Sequence, residues 1–479
     1  MSRFAGLRRR GVIGLGVAVV VAGLVPAVLR TAPDEVVPAL TDEHGRELVL
    51  RGFSTAGSAK GSADGLPDFT EADLDREYRD MGTNFVRFLI SWRAVEPAPG
   101  EYDTAYLDAL AERIGWYRDR GYRVMLDMHQ DLWGNAIVPG SGTGNGAPGW
   151  ATFTDGLAVD THEMWELYYL EPGVIRAFDH FWNTTGEHPE LREHYAGAWR
   201  AVAERIAGDP ELADTVVAYD LMNEPYGGSL QGPAFEGGPL TDLYRRTTEA
   251  IREVDDDTWV CVEPQAMGVN WGTPSGLGRV DDPRPGDDRV AFCPHLYPLP
   301  MDLGGGYTGA TRTLVSSTLS TWRDNTLRTA RALGDVPVIL GEFGLDTTLP
   351  GALEYVDDVY RTAAEQGFGV AYWSRDDGSW GPYETDGTGR NLIGALALPY
   401  PRAVAGRLGE VESTPTSLEF AVTPDPDIEA PTEIWVPESF GRPGEVEGAE
   451  VEGWDPERRI LSVRIDASAD EVELHSARS

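Results

Sequence analysis

Two acidic residues stand where short apolar segments end. Glu224 closes a segment that begins at Val216 and is followed by Pro225, and Glu342 closes a segment that begins at Pro337. An ionised carboxylate is costly to bury and adds nothing to packing, so an acid at the tip of a buried strand is unusual. Two such tips predict a catalytic pair of carboxylates.

The rest of the chain predicts the scaffold that carries this pair. Eight strand-like runs are predicted at residues 48–53, 85–90, 123–128, 216–222, 259–263, 290–295, 337–342 and 368–373. Amphipathic helical stretches lie between them, for example at 104–120, 240–254, 317–333 and 352–365. This alternation predicts an α/β fold, a (β/α)₈ TIM barrel over residues 33–408. Glu224 and Glu342 then end the fourth and seventh strands on one rim, where barrel enzymes place their chemistry.

Such a pair suits cleavage of a glycosidic bond with retention of configuration. One carboxylic acid protonates the leaving oxygen while a carboxylate roughly 5–5.5 Å away attacks the anomeric carbon. The acid needs a raised pKa, and the attacking group needs a stabilised anion. Asn223 can donate a hydrogen bond to the sugar 2-hydroxyl, and Arg87, in the second strand, can keep Glu342 ionised.

Other polar and aromatic residues follow predicted strands on the same rim. They are Lys60, His129, Asp131, His295, Tyr297 and Trp373. Isolated histidines are more often structural, but at strand ends beside paired acids they favour substrate binding. Lys60 is the chain's one lysine, and it is predicted to grip sugar hydroxyls together with Asp131. Trp373 offers an aromatic platform for a pyranose face.

The motifs around the two acids resemble those of a known family. Asn223-Glu224-Pro225 and Gly341-Glu342-Phe343-Gly344 are similar to the motifs of glycoside hydrolase family 5, within the retaining 4/7 superfamily. The resemblance spans roughly residues 40–405. It implies that Glu224 is the acid/base and that Glu342 is the nucleophile.

Within that family the chain resembles the endoglycoceramidases, including the endogalactosylceramidase type. The supporting features are the Lys60 loop, His129-Gln130-Asp131, an aromatic insertion and the motif that starts at Trp373. The resemblance implies hydrolysis of the β-linkage between the intact oligosaccharide and the ceramide of glycosphingolipids, reached at membrane surfaces or micelles. The alternatives are another family 5 β-glycosidase, such as a β-glucanase or a β-glucosylceramidase, and a catalytically silent carbohydrate- or membrane-binding protein.

The composition limits the classes of partner that the protein can bind. A formal net charge of −38 over 479 residues argues against nucleic acid, because phosphate binding needs an excess of Lys and Arg. Metal-ligand spacings are absent from the sequence, and neither a metal nor another cofactor is predicted. The enzyme is expected to act as a monomer.

Three further segments carry predictions. Residues 1–32 hold arginines and then an uncharged run, which predicts a signal peptide or an N-terminal membrane anchor and a secreted or cell-envelope protein. The aromatic-rich stretch 133–200 predicts a functional insertion, with most aromatics in the core and some lining an apolar groove. Residues 409–479 turn acidic and alternate in hydropathy, which predicts a small C-terminal β-sandwich.

The chain has two cysteines, Cys261 and Cys293. Both are predicted to point into the barrel from neighbouring strands. Inward residues of adjacent barrel strands fall in alternate layers, which disfavours a direct bond. The sequence therefore predicts two buried free thiols.

Overall fold

The computed structural model describes residues 37–55, 57–137, 144–163 and 165–476, apart from the side chains of Trp165 and Glu445. The predicted signal peptide or anchor at residues 1–32 lies outside the described residues. Within them, no helix has both the length and the apolar character needed to cross a membrane.

The predicted barrel strands all form. They are β1 (Arg51–Ser54), β2 (Phe85–Ile90), β3 (Arg123–Met128), β4 (Val216–Asp220), β5 (Trp259–Val262), β6 (Val290–Phe292, continued by His295–Leu296), β7 (Ile339–Phe343) and β8 (Gly369–Tyr372). Nearly all their residues are buried, which explains why they read as continuous apolar runs.

The eight strands pair in parallel and close into a ring. Each strand from β1 to β4 pairs with the next strand in the chain. Strand β5 then pairs with the first part of β6 through Cys261 and Ala291. The second part of β6 pairs with β7 through His295 and Glu342. Strand β8 then joins β7 to β1. The chain therefore forms the predicted (β/α)₈ barrel.

Helices alternate with the strands and cover the barrel. The α-helices are Ser58–Gly61, Glu71–Met81, Trp92–Val95, Thr104–Arg118, Pro172–Phe181, Leu191–Ala207, Pro210–Thr215, Pro233–Phe235, Thr241–Ile251, Ala266–Val269, Leu299–Asp302, Gly309–Leu333, Ala352–Gln366 and Asn391–Leu396. Shorter turns of other helix types occupy Gly149–Ala151, Trp165–Leu170, Glu236–Leu240 and Glu438–Phe440. In Thr104–Arg118 the Asp103 side chain accepts two backbone N–H groups at the helix start, and Leu107, Leu110 and Ile114 face the core.

The C-terminal part forms two antiparallel sheets. Its strands are β9 (Tyr400–Val404), β10 (Gly406–Thr414), β11 (Ser417–Pro424), β12 (Thr432–Trp435), β13 (Pro443–Glu447), β14 (Ala449–Asp455), β15 (Ile460–Ile465) and β16 (Glu471–Ser476). One sheet holds β9, β12, β15 and β14 together with the two-residue strand Glu47–Leu48, and the other holds β10, β11, β16 and β13. Alternate residues such as Leu418, Phe420 and Val472 fill a separate core. The strands thus begin at Tyr400, slightly before the change in composition.

The insertion between β3 and β4 is shorter than predicted. Helix Leu191–Ala207 is an ordinary barrel helix, so the extra segment ends near Glu190. Most of its aromatic side chains are buried, as helical spacing predicts, and these are Trp133, Tyr168, Tyr169, Phe178, Phe181 and Trp182. Trp133, Phe178, Phe181 and Trp182 pack on one another, and Trp133 and Phe181 also pack on Trp92, through edge-to-face or tilted ring contacts.

The prediction of two free thiols was wrong. Cys261 and Cys293 form a disulfide, with their Cα atoms 5.7 Å apart. The layer argument holds for regular strands, but β6 is interrupted at Cys293 and Pro294, between Phe292 and His295. Because Cys293 stands at this interruption, it leaves the regular layering and reaches its neighbour on β5.

Candidate active site

Glu224 is held at the end of β4 by contacts to its side chain and its backbone. Its Oε1 accepts hydrogen bonds from Nδ2 of Asn270 at 2.7 Å and from Nδ1 of His295 at 3.0 Å. Its backbone N–H donates to Oε2 of Glu263 at 2.8 Å. The backbone takes a φ of +41°, which is uncommon for a residue with a side chain. These contacts fix the carboxylate on the barrel rim.

Glu342 is held on the opposite side of the same opening. Nη1 of Arg87 donates to its Oε1 at 2.7 Å, and the Tyr297 hydroxyl donates to its Oε2 at 3.0 Å. Oxygen atoms of Glu342 and Glu224 lie within 4.8 Å of each other, with His295 between them. This spacing suits a retaining pair and is too short for an inverting one.

Arg87 is fully buried and binds three further carboxylates. It pairs with Asp127 at 3.1 Å, Asp220 at 2.8 Å and Glu263 at 2.9 Å. Its Nη2 also donates to Oδ1 of Asn223 at 2.8 Å. One guanidinium therefore contacts four carboxyl groups inside the barrel.

A second group of predicted residues lies beside the pair, and we call it the Lys60 cluster: Lys60, His129, Asp131 and Trp373. Nζ of Lys60 lies 2.8 Å from Oδ2 of Asp131 and 4.2 Å from the centre of a Trp373 ring. His129 stacks on Trp373 with ring centres 5.6 Å apart, and its Nδ1 contacts Asp127 at 2.7 Å. Asp127 thus connects the cluster to Arg87.

Charge stabilises both partners of the ion pair in this cluster. Burial opposes the charge on Lys60, but Asp131 and the two acids of the pair outweigh it and raise its pKa. Burial likewise opposes the anion of Asp131, but Lys60 and His129 hold its pKa well below the usual range. The site thus presents a fixed ammonium and a fixed carboxylate side by side, which suits binding of vicinal hydroxyls.

The pKa shifts of the two acids run opposite to those expected for an acid and a nucleophile. Burial raises the pKa of Glu342, and the charges of His295 and Arg87 only partly offset it. Burial also opposes the anion of Glu224, but the hydrogen bond and charge of His295 lower its pKa overall. The pKa of His295 is raised well above its usual value because Glu263, Glu342 and Glu224 outweigh its burial. The surroundings therefore favour the anion of Glu224 and the charged form of His295.

All ten residues predicted for the site lie in these two connected groups. The amide of Asn223 donates to the Gln130 carbonyl at 3.0 Å, so one of its two hydrogens remains for a sugar. Sequence reasoning missed Glu263 and Asn270. Glu263 carried the same signal as Glu224, an acid directly after a strand, whereas Asn270 lies beyond β5 in a short turn without a recognisable pattern.

The sequence model for cellulases of glycosyl hydrolase family 5 matches residues 41–379, which covers every strand of the barrel and both acids. The chain belongs to glycosyl hydrolase family 5. It is a glycoside hydrolase, and family 5 enzymes act with retention of configuration.

Individual relatives narrow the comparison within family 5. Endoglycoceramidase I of Rhodococcus hoagii is 30% identical over 450 residues, which is 90% of this chain and 85% of that one. The solved structure of endo-glycoceramidase II from Rhodococcus sp. in complex with ganglioside GM3 is 61% identical, covers 92% of this chain and 100% of that one, and has a TM-score of 0.89. A glucosylceramidase of Rhizopus delemar is 27% identical over 39% of this chain.

Proposed function

We propose that this enzyme is an endoglycoceramidase that hydrolyses the β-linkage between the intact oligosaccharide and the ceramide of glycosphingolipids. The observation that carries the proposal is the site itself, a retaining acid pair with the Lys60 cluster beside it. The 61% identity to an enzyme solved with ganglioside GM3, over the whole of that chain, supports the substrate class. The same enzyme has also been solved as a lactosyl-enzyme intermediate.

The geometry assigns the steps of a double displacement. Glu342 attacks the anomeric carbon while Glu224 delivers a proton to the glycosidic oxygen, and ceramide leaves as an alcohol. Glu224 then takes a proton from water, which attacks the glycosyl-enzyme and releases the sugar as the β-anomer. Esterification removes the negative charge of Glu342. Loss of that nearby charge lowers the proton affinity of the acid, as its change of role to a base requires.

The Lys60 cluster fits the sugar half of the substrate. We expect Lys60→Met to lower kcat/KM about 10- to 100-fold, the usual cost of losing a hydrogen bond to a charged group. The loss should be equal for lactosylceramide and for an aryl lactoside, because both present the same sugar. Lys60→Arg keeps the charge and should lose less. A defect confined to the ceramide substrate would place Lys60 on the lipid side instead.

The lipid half lies on the other side of Glu224. Although Asp302 is exposed, the surrounding protein atoms and then the charges of Glu166 and Glu224 raise its pKa to about 7. Asp302 therefore lies near both residues. Leu303 directly follows Asp302 in the chain, and Leu170 ends the helical turn that contains Glu166. Their exposed fractions of 59% and 68% are large for leucine.

We propose that these two leucines touch the lipid surface from which the substrate is drawn. The net charge of −38 repels anionic membranes, so apolar contact is the available means of attachment. We expect Leu303→Asp combined with Leu170→Asp to slow hydrolysis of lactosylceramide in neutral vesicles several-fold. Hydrolysis in detergent micelles should change little. Val451, 47% exposed on β14, provides the matched control, since Val451→Asp should affect neither assay. Equal losses in vesicles and micelles would contradict the proposal.

Export is the second part of the proposal. The basic and apolar N-terminus predicts it, and the Cys261–Cys293 bond suits an oxidising compartment outside the cytoplasm. We propose a monomeric enzyme that is secreted or held at the cell envelope. Fractionation of cells that produce the full chain, read by an antibody, tests the location. Protein confined to the cytoplasm would contradict it.

A glycolipid panel tests the activity against its alternatives. Purified enzyme is incubated with lactosylceramide, a ganglioside, glucosylceramide and galactosyl-linked ceramides, and the products are separated by thin-layer chromatography. We expect intact oligosaccharides from the first two and no hydrolysis of cellulose or mannan. Release from glucosylceramide alone would favour the glucosylceramidase alternative. Preference for galactosyl-linked heads would assign the endogalactosylceramidase type.

A further inference from the structure

Glu263 is a buried carboxylate that contacts only catalytic machinery with its side chain. Its Oε1 accepts from Arg87 at 2.9 Å, and its Oε2 accepts the backbone N–H of Glu224 at 2.8 Å. Nε2 of His295 lies 3.2 Å from Oε1. The Tyr244 hydroxyl donates to the Glu263 carbonyl at 2.8 Å and holds this strand end from behind. The double displacement itself does not require any of these contacts.

The first consequence concerns the position of Glu224. The positive φ of this residue is a strained conformation that persists only where the surroundings enforce it. The hydrogen bond from the Glu224 N–H to Glu263 holds the backbone on one side of this residue. Gln130 donates to its carbonyl at 3.0 Å on the other. Glu263 thus aims the acid through its main chain.

The second consequence concerns the proton. His295 lies between two carboxylates, with Nδ1 3.0 Å from Glu224 and Nε2 3.2 Å from Glu263. A neutral imidazole carries one N–H, so one of the two anions would face a lone pair. The protonated ring donates its Nδ1–H to Glu224 and places its positive charge 3.2 Å from Oε1 of Glu263, an ion-pair distance. Gly341 leaves room for it, since a Cβ there would lie 2.9 Å from Nε2.

Other charged groups surround His295. Glu224, Glu263 and Glu342 lie within 3.8 Å of its ring nitrogens. Arg87 and Tyr297 contact these acids, and the same network continues to Asp127, Asp220, His129 and Lys60. Acids outnumber bases in this set, which favours a charged imidazole. Among these groups, Glu263 is the carboxylate that contacts both His295 and the main chain of Glu224.

We propose that Glu263 is a positioning residue that keeps the catalytic proton on His295, from which it passes through Glu224 to the leaving oxygen. In the first step the Nδ1–H bond breaks and the proton passes through Glu224 to the ceramide oxygen, which leaves His295 neutral. At the same time the glycosidic C–O bond breaks with its electron pair on that oxygen, and Glu342 bonds to the anomeric carbon. In the second step a proton of the attacking water returns through Glu224 to Nδ1, while the bond to Glu342 breaks and its electron pair stays on the carboxylate. The inference rests on the proposed function for the identity of the leaving group.

The test is the pH dependence of kcat/KM in Glu263→Gln. The negative charge of Glu263 favours the proton on the Glu224–His295 pair, so its removal lowers the pH at which the pair loses that proton. We expect the basic limb on lactosylceramide to move down by about one to two pH units, as for loss of a close, partly screened charge. Formation of the glycosyl-enzyme from 2,4-dinitrophenyl lactoside, whose leaving group needs no proton, should change little.

Asp220→Asn is the matched control. Asp220 is an equally buried partner of Arg87, but it makes no contact with His295. Burial, followed by the charge of Glu263, raises the pKa of Asp220 well above its usual range. Its replacement alters the contact with Nε of Arg87 at 2.8 Å and removes no contact with His295. The basic limb of the pH profile of Asp220→Asn should stay within about half a pH unit of the basic limb of the unmodified enzyme. Equal shifts in both variants would overturn a specific role for Glu263.

A direct observation of His295 completes the test and needs no substrate. In the unmodified enzyme labelled with ¹⁵N-histidine, we expect both His295 nitrogens to remain protonated at pH 8, with the signal assigned through His295→Gln. A neutral ring at pH 7 would overturn the proposal whatever the substrate proves to be. If Glu263→Gln does not fold, Glu263→Asp keeps the charge and should keep the basic limb while kcat falls. A shifted limb in that variant would overturn it too.

Discussion

Replacing Glu342 with Gln abolishes hydrolysis of every substrate. The amide cannot attack the anomeric carbon, and loss of a covalent nucleophile costs up to about 10⁶-fold in kcat. The loss should be the same for lactosylceramide and for 2,4-dinitrophenyl lactoside, because both need the same attack. The measurement is the hydrolysis rate of the variant on both substrates. The variant is freshly purified from a host without background glycosidase activity, so that the detection limit is low.

The fold should survive this change. Arg87 keeps Asp127, Asp220 and Glu263 as partners, and the replaced carboxylate is one whose pKa burial raises, so its anion is not favoured there. We therefore expect a melting temperature no lower than that of the unmodified enzyme. Residual activity above about one per cent, in a folded and freshly purified sample, would mean that another group attacks the sugar.

Replacing Glu224 with Gln separates substrates by their leaving group. Loss of general-acid catalysis costs typically 10²- to 10⁴-fold. We expect that loss on lactosylceramide, whose alkoxide leaves poorly without a proton. The first step on 2,4-dinitrophenyl lactoside should stay fast, and the second step should slow because water loses its base. A burst of dinitrophenol and a lactosyl adduct on Glu342, seen by mass spectrometry, are the expected observations.

Azide provides an independent check on the role of Glu224. This anion needs no base, so it should restore turnover of the aryl substrate by Glu224→Gln and yield β-lactosyl azide. Glu77, a buried acid that pairs with Arg375 at 3.1 Å, gives the control. Glu77→Gln should lower the melting temperature but leave the leaving-group dependence unchanged. Uniform losses on both substrates in Glu224→Gln would assign the proton transfer to another residue.

Much of the scaffold and the site could be predicted because the signals are local. Buried parallel strands read as apolar runs, and each predicted run overlaps a barrel strand whose bounds differ from it by a few residues. The two acids were visible because they break that pattern at strand tips. Once strand order was known, the residues of the Lys60 cluster followed from their positions on the same rim.

What the sequence did not predict depends on departures from regularity or on contacts in space. The interruption of β6 between Phe292 and His295 makes the disulfide possible, whereas a strict layer rule disfavoured it. The pKa shifts of the two acids depend on His295, which contacts Glu224 directly and Glu342 only at 3.8 Å. Glu263 showed the same strand-tip pattern as the other acids, but its side-chain partners Arg87, Glu224 and His295 come from three different strands or strand ends.

The most direct test of the central claim is the anomeric signal released from lactosylceramide, followed by ¹H NMR from the first seconds of reaction. A retaining endoglycoceramidase predicts intact lactose that appears first as the β-anomer and mutarotates afterwards. Appearance of α-lactose first, or of free galactose before any lactose, would contradict the account.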